Sequence, residues 1–161
     1  MARLAQGRQT QVGTLSTDQR RGAVERKDVG MGSVHLSQLI DLAPEEVYAY
    51  ASDPRHLPAW AAGLSGSIAE EGGKWVADSP MGRVVVEFAA DDEYGVLDQV
   101  VVLPGGERVY NPMRVMVWDN RSEVVFSLRR RPGMTDEQLA RDADAVRTDL
   151  LAAKAVLEHR A

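Results

Sequence analysis

The chain has 161 residues, 44% of them apolar and 27% charged, with a formal net charge of −5. That length and balance suit one globular domain with a core of its own, and the absence of cysteine excludes disulfides and thiol chemistry. Residues 1–32 hold six Lys/Arg and three Asp/Glu, leaving thirteen and twenty-one for the remainder, so a lead of +3 precedes a body of −8; such an acidic body repels nucleic-acid backbones, and no nucleic-acid partner is expected.

Residues 1–32 are rich in Gly, Gln, Ser, Thr and Arg, and no apolar period survives more than a few positions. They read as a disordered or flexible extension, with Met31 a candidate start of translation just before the first structured segment. No apolar leader follows the charges at the N-terminus, and nothing apolar follows Arg20–Arg21, so the expected location is the cytoplasm. The longest apolar runs are strand-sized, which predicts no membrane span.

Val34–Leu42 alternates two faces and reads as a first strand. Ala43–Pro44 then opens a helix, PEEVYAYAS, with proline in its first turn and two acids behind it; Val47, Tyr50 and Ala51 form its buried stripe. Asp53–Pro54 ends it, and RHLPAWAAG predicts a second short helix closing at Gly63. Short strands follow: Leu64–Glu70 and Lys74–Asp78 about a Glu71–Gly72–Gly73 turn, Gly82–Ala89, an acidic loop at 91–93, and Val96–Leu103. Glu107–Trp118 reads as one strand, turned by Asp119–Asn120 into Arg121–Arg129. Strands joined by such short turns are antiparallel, and helices segregated to the two ends of the chain make the fold α+β.

The last stretch, 135–158, organises the rest. Leu139, Ala143, Val146, Leu150, Ala153 and Leu157 recur at spacings of four and three and share one helical face. Thr135 and Gln138 make a capping box, and Asp136 and Glu137 suit the positive end of the helix dipole. Arg141, Asp142, Arg147, Asp149 and Lys154 fill the other side, so Asp149 is expected to face water. A stripe made partly of alanine cannot fill a wide sheet, which leaves room either for large sheet residues or for a cavity.

The segments IDLAPEEVYAYASDPRHLPAWAAG, VLDQVVVLPGG…NPMRV and RRPGMTDEQLARDADAV, in that order, resemble the START-like superfamily, also called SRPBCC or helix-grip, in its polyketide cyclase/dehydrase-like branch. The resemblance covers residues 33–158 and implies a curved antiparallel sheet of about seven strands wrapped around the long C-terminal helix, with a cavity between them. The superfamily includes carriers of apolar molecules, aromatic cyclases and co-chaperones, so fold alone does not select a function.

Candidate site residues follow from side-chain chemistry. Alternation puts Val109, Asn111, Met113, Val115 and Val117 on one face, taken as inward. Asn111 on that apolar face needs hydrogen-bond partners, either from a ligand or from the loop beside Pro112. Asp98 shares a face with Val96, Val100 and Val102; it reads as a general base if inward, or as half of an ion pair with Arg114. His35 is the other acid/base candidate, since histidine is the side-chain type suited to proton transfer near neutral pH, or else an edge residue. Trp60 and Trp75 offer flat surfaces for stacking, Met81 and Met113 adaptable ones, and Leu150 sits mid-stripe on the helix, so these with Asn111 form the candidate ligand-binding set. Three scattered histidines without cysteine have no metal-ligand spacing, and no glycine-rich phosphate or dinucleotide pattern occurs, so neither metal nor cofactor is expected.

The expected function is to bind a small, largely hydrophobic or aromatic molecule between sheet and C-terminal helix. Two alternatives stand beside it: a polyketide cyclase/dehydratase-type enzyme using Asp98 or His35 as acid/base, and a regulatory interaction module contacting a partner through the basic lead or the acidic loop.

Overall fold

The computed structural model describes residues 32–64 and 66–160; the expected N-terminal extension and the candidate start at Met31 lie outside the described residues. Twelve segments follow one another: β1 (Ser33–Ile40), α1 (Pro44–Ala51), two 3₁₀ turns (Pro54–Ala59 and Ala62–Leu64), β2 (Ile68–Glu71), β3 (Lys74–Ser79), β4 (Gly82–Phe88), β5 (Gln99–Val102), β6 (Arg108–Asn111), β7 (Met113–Trp118), β8 (Arg121–Arg129) and α2 (Asp136–Arg160). All strand pairs are antiparallel. The order is β1-β8-β7 in one part of the sheet and β2-β3-β4-β5-β6 in the other.

The residues before β5 join the two parts. Leu97 N–H donates to Met113 O (2.9 Å), Val115 N–H donates to Gly95 O (2.9 Å), and Val96 bridges Arg114. One chain path therefore runs from β6 into β7, pairing with β5 and its lead-in on one side and with β8 on the other. This is the helix-grip arrangement, with eight strands rather than about seven. The difference lies at Pro112, which has no N–H to give to a ladder and so splits the expected Glu107–Trp118 strand into β6 and β7. Pro112 O still accepts from Ser127 N–H (3.0 Å), which keeps the joint tied to β8.

The stretch read as a second short helix is helical, as two 3₁₀ segments, Pro54–Ala59 and Ala62–Leu64. Pro54 and Pro58 offer no amide hydrogens to an α-helical ladder. The turn closes with Trp60 N–H donating to Leu57 O, and Asp53 caps its start through Arg55 N–H (2.9 Å).

α2 begins on the expected capping box. Thr135 N–H donates to Gln138 Oε1 (2.9 Å) and Gln138 N–H to Thr135 Oγ1 (3.1 Å). Its 25 residues extend about 37 Å at 1.5 Å each, and it packs against β1, β8 and the first 3₁₀ turn. Ala143, Leu150, Ala153 and Leu157 are buried, with Leu139 and Val146 half-buried beside them. The core also takes Ile40 from β1, Val47 from α1, Val84 and Val86 from β4 and Val124 from β8. Three residues of the expected water-facing side, Asp142, Asp149 and Lys154, are half-buried instead. Lys154 Nζ reaches Leu39 O (3.0 Å) and Glu158 Oε1 (2.5 Å), its stem lying along the protein surface.

Among the described residues no helix is long and apolar enough to cross a membrane.

Candidate functional site

Between the sheet and α2 lies a cavity of about 600 Å³, within the range of small-molecule sites. Strand alternation builds its walls. On β5 and its flanks the inward residues are Gln99, Val101 and Leu103; on β6 and β7, Val109, Asn111 and Met113; on β8, Phe126 and Leu128. Trp60 and Leu64 close one side from the 3₁₀ turns, and Val146, Asp149 and Leu150 face them from α2. The junction Arg130–Pro132 borders the end where β8 runs into α2, and Met81, 63% exposed, stands at the rim.

Five of the six expected ligand-binding residues line this one cavity: Trp60, Met81, Asn111, Met113 and Leu150. Trp75 does not; it is half-buried on β3 against the core. Trp60 is buried in the wall, and its indole N–H meets no acceptor among the described residues. The inward face expected to run through Val117 stops short of it. Val117 is 70% exposed, because the end of β7 passes beyond the packed helices together with Met116 and Trp118.

Asp98 and His35 both lie away from the cavity. Inward positions on β5 are odd-numbered, so Asp98, with Val100 and Val102, points to the other face. There the Asp98 carboxylate accepts from Met113 N–H (3.0 Å), the Tyr110 hydroxyl and the Arg114 guanidinium. Met113 is the residue after Pro112, so Asp98 holds the kink in the β6–β7 path, with Arg114 as the ion-pair partner the sequence offered. Burial pushes its carboxyl up, but the hydroxyl, the amide and the guanidinium outweigh burial and hold it below the ordinary aspartate value. A carboxylate held ionised by three donors is a structural clasp and a poor proton acceptor. His35 stands at the exposed edge pair β1–β8, its Nδ1 2.9 Å from Ser127 Oγ. Among the described residues no group of three or more His, Asp or Glu is placed to hold a metal ion.

Two cavity residues escaped the sequence reading. Gln99 is only 7% exposed and stands directly across the ladder from Asn111. Neither amide side chain hydrogen-bonds another described residue. The signal was present in the chain, since Leu97, Gln99, Val101 and Leu103 alternate as well as the even-numbered set does. The second residue is Asp149, placed on the water face by its helical angle. The Ala61–Leu64 turn folds over that part of α2, and Ala62 N–H donates to Asp149 Oδ1 (3.0 Å).

Burial raises the Asp149 carboxyl above its ordinary value, and the Ala62 amide only partly opposes this. A carboxyl raised by folding holds its proton more tightly in the folded state. Its contribution to stability is therefore full below the ordinary aspartate value of 3.8 and is lost as pH rises through the raised one. Asp149→Asn, which keeps an oxygen for Ala62, should be more favourable to stability at pH 7 than at pH 4. Paired urea melts of both proteins at the two pH values check this, since other carboxyls cancel in the difference. A difference that does not change with pH would mean that Asp149 is solvated.

No family profile and no curated protein matches the sequence. Solved structures do match in shape. XoxI from Bacillus cereus superposes with a TM-score of 0.62 at 16% identity, over 79% of this chain and 96% of that one. The Aha1 dimer protein from Colwellia psychrerythraea gives 0.62 at 17% identity, over 80% and 97%. DynU16, from the dynemicin biosynthetic locus, gives 0.60 at 15% identity over 78% of this chain, which spans only 47% of that protein. With the grip of sheet on helix, these likenesses show that the chain has the helix-grip fold of these solved structures.

Proposed function

We propose that the protein binds a small, largely hydrophobic or aromatic molecule in the cavity between its sheet and α2. One observation carries this reading: about 600 Å³ of space stands open among Trp60, Val101, Leu103, Met113, Phe126 and Leu150. Apolar walls gain from leaving water, at about 25 cal/mol per Å², and a few polar groups suffice to orient what enters. The positions of Asp98 and His35, both away from the cavity, support binding over acid/base catalysis by either residue. Catalysis requires a titratable group within hydrogen-bond reach of the reacting atom.

Native mass spectrometry of the purified protein should find an apolar molecule bound. Thermal melts across a library of apolar and aromatic compounds should show saturable rises. Val101→Trp, filling the cavity from β5, should abolish those rises while the protein still melts cooperatively. If nothing co-purifies and no compound raises the melting temperature, the cavity is not a binding site.

A further inference from the structure

We propose that Gln99 and Asn111 act as a paired-amide reader that selects a neutral ligand whose polar edge sets an acceptor beside a donor: a carboxamide, lactam or imide. This rests on the cavity being a binding site and names what it prefers.

The two residues are register partners on β5 and β6 and both line the cavity. Directly opposed side chains on an antiparallel ladder start about 4.5–5.5 Å apart at Cβ, so both amides can reach one ligand group. Several buried or half-buried polar side chains of the sheet have partners within the protein. Ser122 Oγ donates to Leu42 O (2.7 Å), Gln38 Nε2 to Leu39 O (2.9 Å), and Asp98 accepts from three donors. Gln99 and Asn111 have no such partner among the described residues and stand together at one place, beside open space. Both amides open onto the cavity, so a ligand that enters it can complete them with matching donors and acceptors.

Each primary amide carries one acceptor oxygen and two N–H donors. With one amide turned to donate and the other to accept, the pair complements a carboxamide-type edge. A ketone would satisfy only the donating member.

Charge decides between a neutral and an anionic group. The inward neighbours of the pair are Val101, Val109 and Met113, and α2 contributes the half-buried Asp149 to the same cavity. An anion at the amides would have to draw a cavity arginine away from its present partner to gain a counter-ion. The arginines that line the cavity are engaged by the protein's own groups: Arg108 with Glu87, Arg130 with Asp136 and Arg131 with Glu107, while Arg129 lies over the Tyr110 ring at 5.3 Å.

Equilibrium dialysis with three probes of one shape tests the proposal: 2-naphthamide, 2-acetylnaphthalene and 2-naphthoate. The carboxamide should bind about tenfold or more tighter than the ketone and the carboxylate. Gln99→Leu and Asn111→Leu should each bring the carboxamide-to-ketone ratio towards one, and Gln99→Met serves if the leucine variant does not fold. Equal binding of the three probes, or a preference for the ketone or naphthoate, overturns the amide reader and leaves the cavity reading standing. Binding of no apolar compound at all overturns both.

Discussion

Gly95→Ala should destabilise the protein by roughly 3–5 kcal/mol, a large share of the roughly 5–15 kcal/mol a domain of this kind has in total. A Cβ at Gly95 would stand 2.2 Å from the carbonyl oxygen of Val115, and the residue sits at φ +73°, where a side chain is strained in any case. Neither strand can retreat to make room. Gly95 O accepts the Val115 amide (2.9 Å), and the next link, Leu97 N–H to Met113 O, lies two residues along. These bonds are the seam between the two parts of the sheet, so pushing them apart should also loosen the cavity wall at Met113. Gly105→Ala is the control, since its Cβ would meet nothing within 4 Å and its backbone is free of positive φ; it should cost less than about 0.5 kcal/mol. Urea midpoints of the two variants decide, and similar losses would mean that the seam is less tight than the geometry implies.

The elements legible in the sequence were those whose signals are local. Thr135 and Gln138 cap α2 as their spacing requires. Asp119 takes the positive φ (55°) that the β7–β8 turn needs. The apolar stripe of α2 is buried where the 3.6 period places it. What failed depended on distant partners. Period two finds two faces on β5 and cannot say which is inward when both are rich in valine. Asp98 stood open between an inward base and an ion pair with Arg114, and its partners Tyr110 and Arg114, twelve and sixteen residues on, show it on the other face. Gln99 was hidden by the same choice of face. Asp149 faces outward on an isolated helix and was covered by a turn some 87 residues earlier.

The same parity explains why the cavity exists. Ala143, Ala145 and Ala153 keep the surface of α2 shallow between its leucines, and the facing strands contribute mid-sized Val101, Val109 and Met113 beside Phe126. Of the aromatics that line the cavity, Phe126 comes from β8 and Trp60 from the end of the 3₁₀ turn at one side. Filling is thus left to what binds, with Gln99, Asn111 and Asp149 as polar points among the apolar side chains and arginines towards the β8–α2 end.

Leu150→Ala should cost roughly 2–5 kcal/mol, in the upper part of that range if the site does not collapse. Leu150 is 3% exposed and sits where the cavity meets the packed core, with Ile40, Val47, Val124 and Leu157 around a smaller void on its other side. Truncating it would join that void to the cavity, and neither β1 nor β8, both bonded along their full register, can close in. Asp149→Ala, one residue earlier, loses the acceptor for Ala62 but also removes a half-buried carboxylate. These effects oppose each other, so its stability should stay within about 1 kcal/mol of the parent. Urea melts at pH 7 separate the two variants. The same Leu150→Ala protein should weaken binding of any compound that raises the parent's melting temperature, because an enlarged cavity grips less well. Equal destabilisation by the two substitutions would place the buried face of α2 elsewhere, and unchanged binding in Leu150→Ala would put the ligand away from the helix.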